Sequence, residues 1–218
     1  GAYGTGHRAP ALFELFGQST TAFGDSFRGN RNLRPEESTG WELGFDKFFF
    51  NKKIFTGLTY FNSKIDNLIV ASGFPTIPIV ALDAKIDGVE SVLSFTLNKK
   101  IKINNSYTFV SAENSNTGGS LLRRPKHKYN FEIISSPNEN FSISGSLSYV
   151  GEMFDVGFNG GNIYKGGYTI GNIRSEWKFN KDIRVYGKVN NIFDKDYAVA
   201  DGFRGFGRRL FIGIEKKW

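Results

Sequence analysis

The 218-residue chain contains no cysteine, so disulfide frameworks, thiolate metal sites and cysteine nucleophiles are all excluded. Histidine is nearly as scarce. The two present, His7 and His127, are far apart in sequence and have no carboxylate at ligand spacing, so no metal site is expected. Long apolar runs are absent too: the stretch from Ile77 to Leu82 is broken by Pro78, and mean hydropathy is −0.31. A transmembrane helix, which needs about 20 consecutive apolar residues, is therefore ruled out. No targeting segment opens the chain. Its first residues, Gly1-Ala2-Tyr3-Gly4-Thr5-Gly6, read as the middle of a strand, so a fragment of a longer protein is expected.

Aromatic residues are abundant, with 22 Phe, 9 Tyr and 3 Trp. They fall into alternating patterns. In Phe141-Ser142-Ile143-Ser144-Gly145-Ser146-Leu147-Ser148-Tyr149 every even residue is serine, and the odd ones are apolar, glycine or aromatic. Ile101, Ile103, Tyr107 and Phe109 alternate with Lys102, Asn104, Ser106 and Thr108, and Ile173, Trp177 and Phe179 with Arg174, Glu176 and Lys178. This is the period of a strand with one face toward hydrocarbon and the other toward water. Strands are expected over residues 36–50, 54–71, 80–97, 101–111, 125–135, 141–154, 167–179, 183–193 and 207–218, with a partial strand at 1–6. Such lengths exceed the usual five or six residues of soluble strands and suit tilted spans of a bilayer about 30 Å thick.

Short polar turns recur at Asn51-Lys52-Lys53-Ile54, Asn98-Lys99-Lys100-Ile101, Asn138-Glu139-Asn140-Phe141 and Asn180-Lys181-Asp182-Ile183. Longer connections are expected over 7–34, 73–79, 112–124, 155–166 and 194–206, with a helical turn within 10–16. Short turns then gather at one end of a β structure and long loops at the other. A β-propeller also repeats every forty-odd residues, but each blade would break into about four short strands, and no such breaks occur. The expected fold is all-β: an antiparallel transmembrane β-barrel segment of about ten strands. The net charge of +7 is spread over turns and strand faces instead of forming one block, which argues against nucleic acid; phosphate groups of an outer-leaflet glycolipid, or solubility alone, account for it.

Several stretches carry a family resemblance. Tyr3-Gly4-Thr5-Gly6-His7-Arg8-Ala9-Pro10, then Glu14-Leu15-Phe16-Gly17, then Asn30-Arg31-Asn32-Leu33-Arg34-Pro35-Glu36-Glu37-Ser38 resemble a run found in TonB-dependent outer-membrane receptors. So do Ile86-Asp87-Gly88-Val89-Glu90, Leu121-Leu122-Arg123-Arg124-Pro125-Lys126-His127 and Asn190-Asn191-Ile192-Phe193-Asp194-Lys195-Asp196-Tyr197, followed by Gly207-Arg208-Arg209 and a terminal aromatic. The motifs keep their order over the whole chain. The resemblance implies the C-terminal portion of a 22-stranded barrel, with the plug domain, the TonB-contacting segment and the first strands outside this chain. Leu122-Arg123-Arg124 and Asp194-Lys195-Asp196-Tyr197 look most like cobalamin receptors, while haem and siderophore receptors share much of the rest. Two departures stand out. His7 replaces a common aromatic, and Trp218 replaces the usual terminal Phe, with Lys216 at an ordinarily apolar position.

What the resemblance implies is a receptor for active uptake of a scarce nutrient, either cobalamin or a metal chelate such as a siderophore or haem complex, energised through TonB by way of the plug. No cofactor is implied. The alternative is a passive barrel, porin-like or adhesin-like, with no energy coupling. An enzyme is not expected, since serines on alternate strand positions read as lumen filler and no nucleophile and base converge. Arg8, Phe13, Phe16, Phe23, Phe27 and Arg28 in the first long connection, and Asp155 and Tyr164 in a later one, are the candidate ligand contacts, because aromatic and cationic side chains suit a large, partly apolar, anionic nutrient. Leu210, Ile212, Ile214 and Trp218 form the expected signal for the barrel-assembly machinery, on a face that also meets lipid. Glu36, Glu42, Glu90, Arg123, Arg124, Arg174, Glu176, Arg184 and Arg209 are expected near the lumen, either pairing with a plug or keeping the interior wet.

Overall fold

The computed structural model describes residues 1–21, 24–71, 77–157 and 161–217. In chain order its elements are β1 (Ala2–Arg8), the helix α1 (Leu12–Phe16), β2 (Gln18–Thr21), β3 (Gly24–Arg28), β4 (Glu36–Phe49), β5 (Ile54–Ala71), β6 (Ile77–Asn98), β7 (Ile101–Asn114), β8 (His127–Asn138), β9 (Phe141–Val150), β10 (Met153–Val156), β11 (Asn162–Lys165), β12 (Tyr168–Lys178), β13 (Ile183–Asn190), β14 (Ala198–Ala200), β15 (Phe203–Arg204) and β16 (Arg209–Lys216). Ten strands make one antiparallel sheet in the order β1-β4-β5-β6-β7-β8-β9-β12-β13-β16. Each strand beside its sequence neighbour is what hairpin connections produce. The sheet is an open arc with β1 and β16 as its edges.

Directly paired residues share a face, so the register shows which side chains sit together. One face carries the cross-strand row Tyr107, Tyr129, Tyr149 near the loop end and the row Phe141, Trp177, Val185, Ile214 near the turn end. Leu147, Phe131, Ile133, Ile103 and Ile173 lie between them on the same face. Tyr149 and Phe141 are eight residues apart in β9. At about 3.3 Å per residue and a tilt near 40°, that separates the two aromatic rows by roughly 20 Å, close to the apolar band of an outer-membrane barrel. The opposite face carries Ser146, Asn172, Asn190 and Arg209 in one row and Ser144, Arg174 and Lys188 in the next. The alternation of the sequence is therefore the alternation of the wall. Among the described residues only Ile69, Ala84, Ala112 and Met153 are buried apolar side chains, so this single layer has almost no core of its own.

The asparagine turns all lie at one end, and they work in two ways. Asn98 Oδ1 accepts the Lys100 and Ile101 amides, Asn138 Oδ1 those of Asn140 and Phe141, and Asn180 Oδ1 those of Asp182 and Ile183, at 2.8 to 3.0 Å. Each side chain satisfies amides that a tight reversal would leave unpaired. Between β4 and β5 the backbone itself does the work: Phe50, Asn51 and Lys52 take φ of 51°, 55° and 66°. Close packing also shapes the inner face. Gly213 pairs with Tyr186, and a Cβ at 213 would run into the Tyr186 ring, so the tyrosine covers the glycine.

Several expected boundaries need correction. The strand expected over 141–154 ends at Val150, where the Gly151 amide bonds the His127 carbonyl at 2.7 Å and a Cβ at 151 would lie 2.9 Å from that oxygen. The chain then leaves the sheet and folds back as the hairpin β10–β11, which takes the last two residues expected in that strand and most of the loop expected over 155–166. The connection over 194–206 likewise holds the hairpin β14–β15, and that over 7–34 holds α1 and the hairpin β2–β3, whose second strand runs parallel to β6 through Phe27–Ile77 and Arg28–Pro78. The strand expected to reach Phe193 stops at Asn190, because Asn191 adopts φ 51°. The loop expected over 73–79 lies partly outside the described residues, and β6 already begins at Ile77.

Candidate functional site

Everything larger than a turn lies at the loop end, in two groups of residues. The first stands on β1, β4 and β5, with β3 paired to β6. Arg8, at the end of β1, donates to Glu36 from Nε and Nη2 at 2.8 Å each, and from Nη1 to Glu14 at 3.1 Å. Glu14 also accepts the Ala11 amide at 2.7 Å, fixing the start of α1, and Glu36 accepts the Ile69 amide at 2.8 Å. The Arg8 hydrogen bond, with that of the Ala11 amide, holds the Glu14 carboxyl below its ordinary range despite the opposing effect of burial. Arg8 thus anchors a helix to the wall. What it anchors is apolar and open: Phe13 is 59% and Phe16 57% exposed. Phe13 stacks on Phe27 at 4.3 Å, and Arg31 stands over the Phe16 ring. Arg28 is exposed beside them. Phe23 lies outside the described residues.

The second group joins three loops. Asp155 is fully buried, with Oδ1 accepting from Arg123 Nε at 2.6 Å and the Val156 amide at 2.8 Å, and Oδ2 accepting the Asp201 amide at 2.6 Å. Arg123 comes from the β7–β8 connection, Asp155 from β10 and Asp201 from the β13–β16 connection, so one carboxylate holds all three together. Burial pushes its pKa up, but the Arg123 bond and the two amides outweigh that and hold it below the usual carboxylate value. A second bond from the Arg123 amide to the Phe154 carbonyl, 2.7 Å, reinforces the junction. The carboxylate of Asp155 is therefore enclosed and fully used, and it shapes the surface from beneath instead of meeting a solute. Tyr164 does face outward. The neighbouring Glu152 carboxylate raises its phenol pKa, and its ring meets Phe154 edge-on at 5.7 Å.

The Asn-Asn box owes its form to the same demand for buried hydrogen bonds. Asn191, 2% exposed, donates from Nδ2 to the carbonyls of Lys195 and Phe206 and accepts the Lys195 amide on Oδ1, while its own amide bonds Asn172 Oδ1. The β13–β16 connection is thereby pinned to β12. Neither Asn191 nor Arg31 stands out in the sequence as a site residue. For Asp155 a signal was present: a lone carboxylate alternating with Met153 lies on the buried side of its strand, where it needs a partner.

Elsewhere the expected charges do face inward. Glu176 Oε2 accepts from Arg174 at 3.4 Å and Arg184 at 3.3 Å, and Arg184 pairs on with Glu215. On the outward side of the edge strand, Leu210, Ile212 and Ile214 are widely exposed, and Trp218 lies outside the described residues.

The antiparallel β architecture of this chain is shared with known proteins. The solved structure of the copper transporter OprC superposes on 99% of this chain with a TM-score of 0.82 at 18% identity, over 36% of its own length. A mutant of the ferric enterobactin receptor PfeA from Pseudomonas aeruginosa covers 98% of this chain (TM-score 0.78, 20% identity, 37% of that chain). The pyoverdine outer-membrane receptor FpvA from Pseudomonas aeruginosa PAO1, bound to pyoverdine, covers 85% (TM-score 0.71, 18% identity, 30% of that chain). The chain spans about a third of the length of these structures. The family model described as TonB dependent receptor-like, beta-barrel matches residues 1–192, so the chain belongs to that family of Gram-negative outer-membrane barrels.

Proposed function

We propose that this chain supplies wall and extracellular loops to a TonB-dependent receptor that takes up a scarce metal as an anionic, partly apolar chelate. The observation that carries this reading is the loop end itself. Exposed aromatic rings at Phe13 and Phe16 share the first loop with the cations Arg28 and Arg31 on a frame fixed by Arg8, and Tyr164 stands on the frame fixed by Asp155. Open rings and cations on a rigid base suit a bulky ligand that carries both apolar surface and negative charge. The proteins of similar fold include a copper transporter, a pyoverdine receptor and a ferric enterobactin receptor, which favours a metal or siderophore cargo here. Cobalamin and haem are the remaining candidates from the sequence resemblance. Coupling to TonB would act through a plug inside the polar face, where the chain of Arg174, Glu176, Arg184 and Glu215 offers charged partners. Outward, Leu210, Ile212 and Ile214, with Trp218, would meet lipid and the barrel-assembly machinery.

The test is uptake by the full-length receptor in cells stripped of their own receptors. Labelled ferric siderophores, copper, haem and cobalamin are offered with and without functional TonB. One of them accumulates only when TonB works; equal accumulation in both backgrounds would leave the passive barrel as the better reading.

A further inference from the structure

The junction held by Asp155 has a cavity beside it. An open cleft of about 210 Å³ lies between the β7–β8 connection and the β10–β11 hairpin, above the inner-face residues Val110 and Ala112. Arg123 and Asp155 are spent on the junction; their neighbours Arg124 and Phe154 line the cavity, together with Lys126, Glu152, Met153 and Tyr164. Among the described residues neither Arg124 nor Lys126 has a carboxylate partner. The one carboxylate in the lining, Glu152, neighbours the Tyr164 phenol and raises its pKa. The lining thus holds two cations and one carboxylate together with Phe154, Tyr164 and the chain's single methionine, Met153. A cavity of about 150 Å³ lined by apolar side chains is enough for a benzene ring, and a thioether sulfur favours contact with an aromatic edge.

We infer that this cavity is a subsite for an anionic aromatic group, with the ring against Met153, Phe154 and Tyr164 and the negative charge between Arg124 and Lys126. It deepens the uptake reading above, because it names the part of the cargo that these loops would grip. The subsite is preformed: both of its walls are locked by the Asp155–Arg123 pair, and the Arg123 amide to Phe154 carbonyl bond sets their spacing. Ordering cost on binding is correspondingly small.

Benzoate is the probe, with benzamide as its uncharged counterpart of the same shape, titrated into the detergent-solubilised full-length receptor and followed by saturation-transfer NMR and calorimetry. Benzoate binds saturably and benzamide more weakly. The doubly substituted R124A/K126A receptor loses about tenfold in benzoate affinity, as two partly exposed charge contacts warrant, and no longer prefers benzoate to benzamide. Phe154→Ala weakens both probes alike. Arg124 and Lys126 are exposed, so these variants keep the barrel, as heat-resistant electrophoretic mobility verifies. Absence of saturable benzoate binding, or equal affinity in R124A/K126A, overturns the subsite. Uptake that proves independent of TonB, with benzoate binding intact, would remove the transport reading and leave the subsite standing.

Discussion

Replacing Asp155 with alanine isolates the junction of the three loops. The side chain is wholly enclosed and makes three bonds of 2.6 to 2.8 Å, to Arg123 and to the amides of Val156 and Asp201. Arg123 is half exposed and can turn to water, so its loss counts little. The two amides lose a charged acceptor, and bonds of that kind contribute about 1.5–3 kcal/mol each. Allowing for water entering the gap, the local loss comes to about 3 kcal/mol. At about 1.4 kcal/mol per factor of ten, amide protection around residues 121–125, 153–156 and 199–203 should fall on the order of a hundredfold. Hydrogen exchange with mass-spectrometric readout on the full-length receptor measures this directly. The ladders of β5 to β9 should keep their protection, since the junction lies outside the sheet. Faster exchange at 153–156 alone, with the other two loops unchanged, would show that the three loops are not one unit. Acid offers a second route to the same state. The folded carboxyl lies below its unfolded value of about 3.9, so the contribution is complete above that pH and disappears as pH falls through the lower folded value.

Two further substitutions examine the wall and the first loop. Asn105 lies on the lipid-facing side, where its Nδ2 donates to the Leu93 carbonyl at 3.3 Å and its Oδ1 accepts from the Tyr129 hydroxyl at 2.7 Å. Tyr129→Phe leaves that oxygen without a donor and should cost about 1 kcal/mol in a urea unfolding titration from lipid vesicles, whereas adding Asn105→Leu to it should recover part of the loss. Arg8→Ala frees Glu14 and Glu36 at once; because the arginine is 46% exposed, the expected loss is only about 1 kcal/mol. It should appear as faster limited proteolysis between residues 12 and 33, and Arg8→Lys should not rescue it, since an ammonium lacks the fork that reaches two carboxylates. Lowering pH should mimic the substitution. Glu14 sits below its unfolded pKa of about 4.3, so its contribution holds above that value and is lost as pH drops through the folded one.

The wall was legible because its rule is local. Serine at 142, 144, 146 and 148 announces one face of β9, and the register places those residues opposite Glu176, Arg174, Asn172 and Ile170. The turns at Asn98, Asn138 and Asn180 were equally plain, for an asparagine two or three residues before the amides it caps needs no distant help. The loop end was not legible in the same way. Its hairpins are strands of only two to five residues, too short for a period to show. Asp155 finds its partners 32 and 46 residues away, and no spacing rule brings Arg123 and Asp201 to one carboxylate. Alternation even misled at Gly151, because the pattern of β9 runs on through Met153 and Phe154 after the backbone has left the sheet.

The self-capped turns have a consequence for how such a wall can change. Each of the three asparagines carries, within four consecutive residues, all that is needed to reverse the chain and set the offset of the two strands it joins. A strand–turn–strand unit can therefore be duplicated or excised as a block, and because it always contributes an even number of strands, inside remains inside for every unit that follows. Barrel circumference becomes a quantity that evolution, or an engineer, can alter in steps of two without rewriting the rest.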